Sequence, residues 1–142
     1  MCIRDRYVPN KIETIICFLA CAKNGIIWSS CSPDFGAQGV VDRFKQIEPK
    51  VFITCDYYYY NGKKINILDK VEKILKQIPS IKKVIAFNYN KQERESLKNF
   101  INFEETLKND LDEVFERFEF NHPIYILFSS GTTGKPKCIT HG

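Results

Sequence analysis

Nine consecutive residues near the end of this 142-residue chain, Ser129-Ser130-Gly131-Thr132-Thr133-Gly134-Lys135-Pro136-Lys137, bring together four hydroxyls, two glycines and two lysines. Those are the parts of a phosphate cradle. Glycine admits left-handed backbone and close approach, so successive N–H groups can converge on an anion. Hydroxyls donate to phosphate oxygens, and the ammonium groups of Lys135 and Lys137 supply the opposite charge. The spacing is not that of the common nucleotide P-loop, G-x-x-x-x-G-K-S/T, which opens a helix. Here two residues separate Gly131 from Gly134, and Pro136 follows Lys135. β-prone runs flank the segment, Ile124 to Phe128 before it and Cys138 to Thr140 after it. The pattern therefore predicts a strand–loop–strand unit. A hairpin turn rich in Ser, Thr, Gly and Pro is the plain alternative, but the density of donors and cations exceeds what a turn requires.

The nine residues resemble the phosphate loop of the acyl-adenylate-forming, AMP-binding enzymes, whose pattern is Ser/Thr-Ser/Thr-Gly-Ser/Thr-Thr-Gly-x-Pro-Lys. The resemblance implies that Ser129, Ser130, Gly131, Thr132, Thr133, Gly134, Lys135 and Lys137 hold the β- and γ-phosphates of ATP. A carboxylate then attacks the α-phosphate, pyrophosphate leaves, and a thiol captures the acyl-adenylate. Donors fixed in advance would stabilise the charge gathering on pyrophosphate, and a movable loop would release it.

A second candidate is the tract from Asp56 to Lys64, with four successive tyrosines, Tyr57 to Tyr60, then Asn61-Gly62-Lys63-Lys64. The tyrosines suggest a base-stacking platform, but four in a row cannot face one way in a strand or a loop. The tract follows a strand, where α/β folds place ligands, and it offers one glycine and two cations for a further phosphate. A tyrosine-rich surface turn explains the composition equally well. The same resemblance assigns Tyr60, Asn61, Gly62 and Lys63 to contacts with the phosphates of coenzyme A. Tyr60 stands where an arginine is common in the acetate-activating members.

Composition narrows the other readings. With 44% hydrophobic and 27% charged residues the chain is ordinary globular material. Its most apolar run, Ile15 to Ala22, is far too short to span a bilayer. The net charge of +4 is mild, and Lys63, Lys64, Lys70, Lys73, Lys76, Lys82 and Lys83 read as a solvated helix face before they read as a nucleic-acid footprint. Six cysteines (Cys2, Cys17, Cys21, Cys31, Cys55, Cys138) contain no Cys-x-x-Cys pair, and neither His122 nor His141 stands at finger spacing. No metal site is expected. Cys17, Cys21 and Cys55 sit among apolar residues and read as reduced core thiols of a cytoplasmic protein.

The elements that must position these residues alternate. Asn10 reads as the cap of a helix bearing Ile12, Ile15, Ile16, Leu19 and Ala22 at helical spacing, and Gly25 stops it. A short strand at 26–29, a loop at 30–36, a helix over 37–48 closed by Pro49, and a strand at 51–55 come next. A helix over 66–78 and a strand at 84–87 follow. Short apolar strands alternating with helices signal parallel βαβ units, so the fold class expected is α/β. From 88 to 121 the pattern weakens to a surface excursion with Phe100, Phe103, Leu107, Leu111, Val114, Phe115 and Phe118 in pieces whose edges are not legible. Residues 1–6 lack pattern and are expected to be a ragged or foreign start. The partition is thus 1–6, then 7–142 as a partial N-terminal AMP-binding domain: a βαβ core at 7–87, the excursion at 88–121, and the phosphate-loop strands at 122–142.

The stretch from Gly25 to Gly36 (GIIWSSCSPDFG), Asp42-Arg43-Phe44 and Gln46 to Lys50 are similar to the acetoacetate-activating branch of the family. Tyr60 to Lys63 and His122-Pro123 fit the same branch, and the likeness runs from about Tyr7 to the last residue. It implies ATP, Mg²⁺ and coenzyme A as cofactors and a short acyl or keto acid as substrate, with no nucleic acid and no membrane. An acetyl- or other short-chain acyl-CoA ligase and a non-catalytic phosphate-binding α/β module are the alternatives. The family's adenine, Mg²⁺ and ribose contacts and its mobile lysine have no counterpart up to Gly142. No catalytic residue is therefore assigned, and the 142 residues, read as an N-terminal-side fragment, are expected to be inactive alone.

Overall fold

The computed structural model describes residues 3–90, 100–108, 115–129 and 134–142. Strand β1 (Ile3–Tyr7) leads to helix α1 (Ile12–Lys23), strand β2 (Ile27–Cys31), helix α2 (Ala37–Phe44) and strand β3 (Val51–Cys55). A hairpin of β4 (Tyr57–Tyr60) and β5 (Lys63–Asn66) precedes helix α3 (Leu68–Gln77) and strand β6 (Lys83–Phe87). Strand β7 (Ile101–Asn102), the short helix α4 (Phe103–Thr106) and strands β8 (Tyr125–Phe128) and β9 (Cys138–His141) complete the order. Seven strands form one sheet in the order β7-β6-β3-β1-β2-β8-β9. All its pairings are parallel except β8 with β9. The expected α/β fold with parallel βαβ units is what the chain adopts.

Parallel strands buried on both faces need near-continuous apolar sequence, and β3 supplies it, with Phe52, Ile53, Thr54 and Cys55 at 2% exposure or less. Helices α2 and α3 cover the sheet with Val40, Val41 and Phe44 from one and Val71 and Ile74 from the other. Phe44 meets Phe52 edge-on, with ring centroids 6.1 Å apart. Cys17, Cys21, Cys31 and Cys55 are buried and none is in a disulfide, and burial pushes the Cys55 thiol well up. They pack as small apolar side chains. Among the described residues no helix is long and apolar enough to cross a membrane.

Several expectations change. The ragged start gives way at Ile3: residues 3–7 form β1, the middle strand, paired with β2 on one side and β3 on the other. Arg4, Asp5 and Arg6 hide this strand from any apolar pattern, because both pairings use backbone groups alone. Asn10 does not cap α1; Lys11 takes that position without a side-chain hydrogen bond. The buried side of α1 carries Glu13, Thr14, Cys17 and Cys21, while Ile12, Ile15, Ile16 and Leu19 face outward, from 69% to 41% exposed. Helix α2 ends at Phe44 rather than Glu48, since the chain tightens into turns and Glu48 takes φ 47 just before Pro49. Within the weak stretch, Asn102 caps α4 by accepting from the Glu104 amide at 3.0 Å, and Phe103 packs on Phe87. Leu111 and Val114 lie outside the described residues.

Candidate functional site

The glycine–hydroxyl–lysine segment joins β8 to β9, as the flanking apolar runs predict. Two observations explain how it is seated. Strand β8 lies parallel to β2, with Trp28 opposite Tyr125 and Ser29 opposite Ile126, and the Trp28 amide donates to the Ile124 carbonyl at 2.9 Å. Ile126 is buried and the Phe128 ring leans on Phe44 at 6.3 Å. The entering limb is thereby fastened to the core.

The leaving limb is tied to the entering one. Phe128 pairs with Cys138 in the antiparallel ladder. One residue further on, the Ser129 amide donates to the Lys137 carbonyl at 3.0 Å, and the Lys137 amide donates to Ser129 Oγ at 3.3 Å. The two ends of the nine-residue segment thus meet at a closed neck. Gly134, Lys135 and Lys137 are exposed. A methyl group added at Gly134 would meet nothing within 4 Å, so the surrounding protein does not demand a glycine there. Ser130, Gly131, Thr132 and Thr133 lie outside the described residues; of the predicted set the structure describes Ser129, Gly134, Lys135 and Lys137, and it pairs Ser129 with Lys137.

The second candidate tract is not a loop. Tyr57–Tyr60 pairs antiparallel with Lys63–Asn66, and Asn61 (φ 47) with Gly62 (φ 74) makes the two-residue turn. Both central residues of that turn need positive φ, which is why Asn-Gly occupies it. Gly62 is therefore explained by its turn without any ligand. Tyr57 and Tyr58 are buried and Tyr59 and Tyr60 exposed, so burial falls off along the strand as it leaves the sheet. Lys63 lies exposed on the strand after the turn.

Of the four residues assigned to this tract, Tyr60 lines a cleft of about 280 Å³ with Val8, Asn10, Ser32, Asp34 and Tyr58. Its walls come from the segments that follow β1, β2 and β3. In the sheet β1 lies between those two strands, so the chain turns to one side after β1 and to the other for β3. Such a reversal of strand order, at the carboxyl ends of parallel strands, is where open α/β sheets form ligand crevices. Asp34 organises the rim: its Oδ1 accepts from the Tyr58 hydroxyl at 2.7 Å and its Oδ2 from the Ser32 hydroxyl at 2.9 Å. The buried Tyr7 hydroxyl donates to the carbonyls of Pro33 (2.8 Å) and Phe35 (2.6 Å), fixing the same loop from beneath. Burial, and then the bond to Asp34, push the Tyr58 phenol up to about 12. Ser32 and Asp34 carry no role in the sequence reading, and Tyr58 enters it only within the tyrosine tract, although Ser-x-Asp directly after a buried strand is a usable signal. Among the described residues no group of three or more His, Cys, Asp or Glu side chains could hold a metal ion.

The family model for AMP-binding enzymes matches residues 6–142. The chain belongs to that family. Among curated relatives, acetoacetyl-coenzyme A synthetase of Rhizobium meliloti (strain 1021) is 47% identical over 140 residues, which are 94% of this chain and 21% of that protein. The acetoacetyl-CoA synthetase of Xenopus tropicalis is 42% identical over 145 residues, 95% of this chain and 22% of its own length. In structure the chain is similar to acetoacetyl-CoA synthetase from Streptomyces lividans, with a TM-score of 0.91 and 37% identity over 98% of this chain and 21% of that one. The chain therefore spans about a fifth of the length of the AMP-binding relatives it matches.

Proposed function

We propose that this chain forms the ATP-phosphate-binding part, and the coenzyme A side, of an AMP-forming acid–thiol ligase that acts on acetoacetate. The observation that carries the reading is the closed neck, in which Ser129 and Lys137 hold the two ends of a donor-rich loop together. Ser129, Ser130, Gly131, Thr132, Thr133, Gly134, Lys135 and Lys137 would grip the β- and γ-phosphates. As the carboxylate oxygen bonds to the α-phosphorus, the bond to the bridging oxygen breaks and its electrons pass to pyrophosphate. Hydroxyl, amide and ammonium donors then face more charge than they did in bound ATP, which is the condition for accelerating that step. In the second half-reaction a thiolate displaces AMP from the acyl carbon and the thioester forms. The cleft rimmed by Ser32, Asp34, Tyr58 and Tyr60 suits the thiol-bearing partner, with Asn61, Gly62 and Lys63 at the tip of the adjoining hairpin.

Acetoacetate as the acid rests on the names of the relatives. Mg²⁺ belongs to the family's chemistry, yet no cluster of acidic side chains among the described residues fits it, so no step is assigned to it here. Buried cysteines outside disulfides suit a reducing compartment such as the cytoplasm.

The test is made in the complete protein carrying this sequence. Lys137→Ala and Thr132→Ala should each slow acetoacetate-dependent pyrophosphate–ATP exchange by roughly a hundredfold, the usual effect of removing one transition-state donor. Thiol capture from preformed acetoacetyl-adenylate should change much less. Equal losses in both halves would mean that the loop is structural.

A further inference from the structure

The leaving limb of the phosphate loop is held from outside by one side chain. Gln46 follows α2, ninety residues before Pro136 in sequence. Its Nε2 donates to the Pro136 carbonyl at 3.0 Å and to the Asp42 carbonyl of α2 at 2.6 Å, while its Oε1 accepts from Cys138 Sγ at 3.6 Å. Both amide protons and the carbonyl are thereby used, and the two bonds to the limb fall on the residues either side of Lys137.

We infer that Gln46 is a positioning residue for Lys137, resting on the proposal that this loop binds ATP phosphates. Four bonds hold the Lys137 backbone in place: Ser129 takes its carbonyl and its amide, and Gln46 holds both neighbours, at the Pro136 carbonyl and the Cys138 side chain. Its ammonium group is left exposed at the end of a flexible stem. Fixing where the stem begins limits the volume the ammonium group can sample, so less freedom is lost when phosphate binds. Since Gln46 is joined to α2, and α2 is packed on the sheet through Phe44, the reference frame for that charge is the core itself. Gln46 itself need not touch the nucleotide.

The experiment uses the complete protein with Gln46→Ala, Gln46→Glu, Lys137→Met and the double variant Gln46→Ala/Lys137→Met. Gln46→Glu keeps the length and an acceptor for Cys138 but removes both donors. Each single change at Gln46 should raise KM for ATP in pyrophosphate exchange roughly five- to tenfold, the worth of one or two hydrogen bonds. Thiol capture from preformed acyl-adenylate should stay unchanged. Because Gln46 is exposed, thermal unfolding should shift by less than about 3 °C. In the Lys137→Met background the Gln46→Ala effect should shrink below about twofold, the sign of acting through Lys137. An unchanged KM, an effect that persists in full without Lys137, or a larger melting loss in both Gln46 variants would each overturn the inference. If Lys137→Met leaves ATP kinetics untouched, the phosphate reading itself falls and takes this inference with it.

Discussion

At the scale of single residues the informative group is Tyr58. It is buried, donates to Asp34 Oδ1, and titrates near 12 instead of near 10. The folded state therefore holds the phenolic proton more tightly than the unfolded chain does. Its contribution is complete below about pH 10, the ordinary tyrosine value, and is lost as pH rises through about 12. Urea midpoints measured from pH 9 to 12 should fall steeply in the parent and less steeply in Tyr58→Phe; identical slopes would show that Tyr58 is not the group responsible. Below pH 9 the same variant should lose about 1 kcal/mol, the worth of one hydrogen bond, with part offset because Asp34 still accepts from Ser32. Such residues are hard to find by reading along the chain. Asp34 and Tyr58 are 24 positions apart, and only the parallel arrangement of β2 and β3 on either side of β1 brings their segments to one crevice.

Elements proved easier to read where local chemistry and burial agree. The strand–loop–strand of β8 and β9 was legible because apolar runs bound a segment too rich in glycine, proline and hydroxyls to continue either strand. The β4–β5 hairpin was missed despite its Asn-Gly signal, since four tyrosines gave no alternation of apolar and polar side chains to mark the strands. Helix α1 was found by period, but its inward side could not be told from the sequence. Thr14 Oγ1 donates to the Pro9 carbonyl at 3.0 Å and Glu13 Oε1 lies 3.7 Å from the Lys11 ammonium group, while Glu13 Oε2 is buried without a hydrogen-bond partner. The outward stripe of Ile12, Ile15, Ile16 and Leu19 is a contiguous apolar surface of the kind that associates. The 142-residue chain should therefore self-associate as its concentration rises. Ile15→Gln/Ile16→Gln should move the midpoint at least about tenfold, given about 1.5 kcal/mol for burying one such side chain. Sedimentation velocity across a concentration series decides it, and superimposable profiles for parent and variant would refute this use of the stripe.

For the molecule as a whole, the sheet is organised about β1. Loss of residues 1–7 should abolish cooperative unfolding in circular dichroism, whereas loss of the last four residues, which removes part of an exposed edge strand, should cost far less. Comparable melting of the two truncated chains would contradict this. The arrangement also bears on assembly. Within this chain the central strand precedes both its neighbours in sequence: β2 comes next, β3 later, and β8 only after some seventy further residues. The foundation of the glycine–hydroxyl–lysine loop is thus built from the middle of the sheet outward, through β1 and β2 to β8. A lesion in β1 would therefore be felt far along the sequence, at a loop left with nothing to stand on.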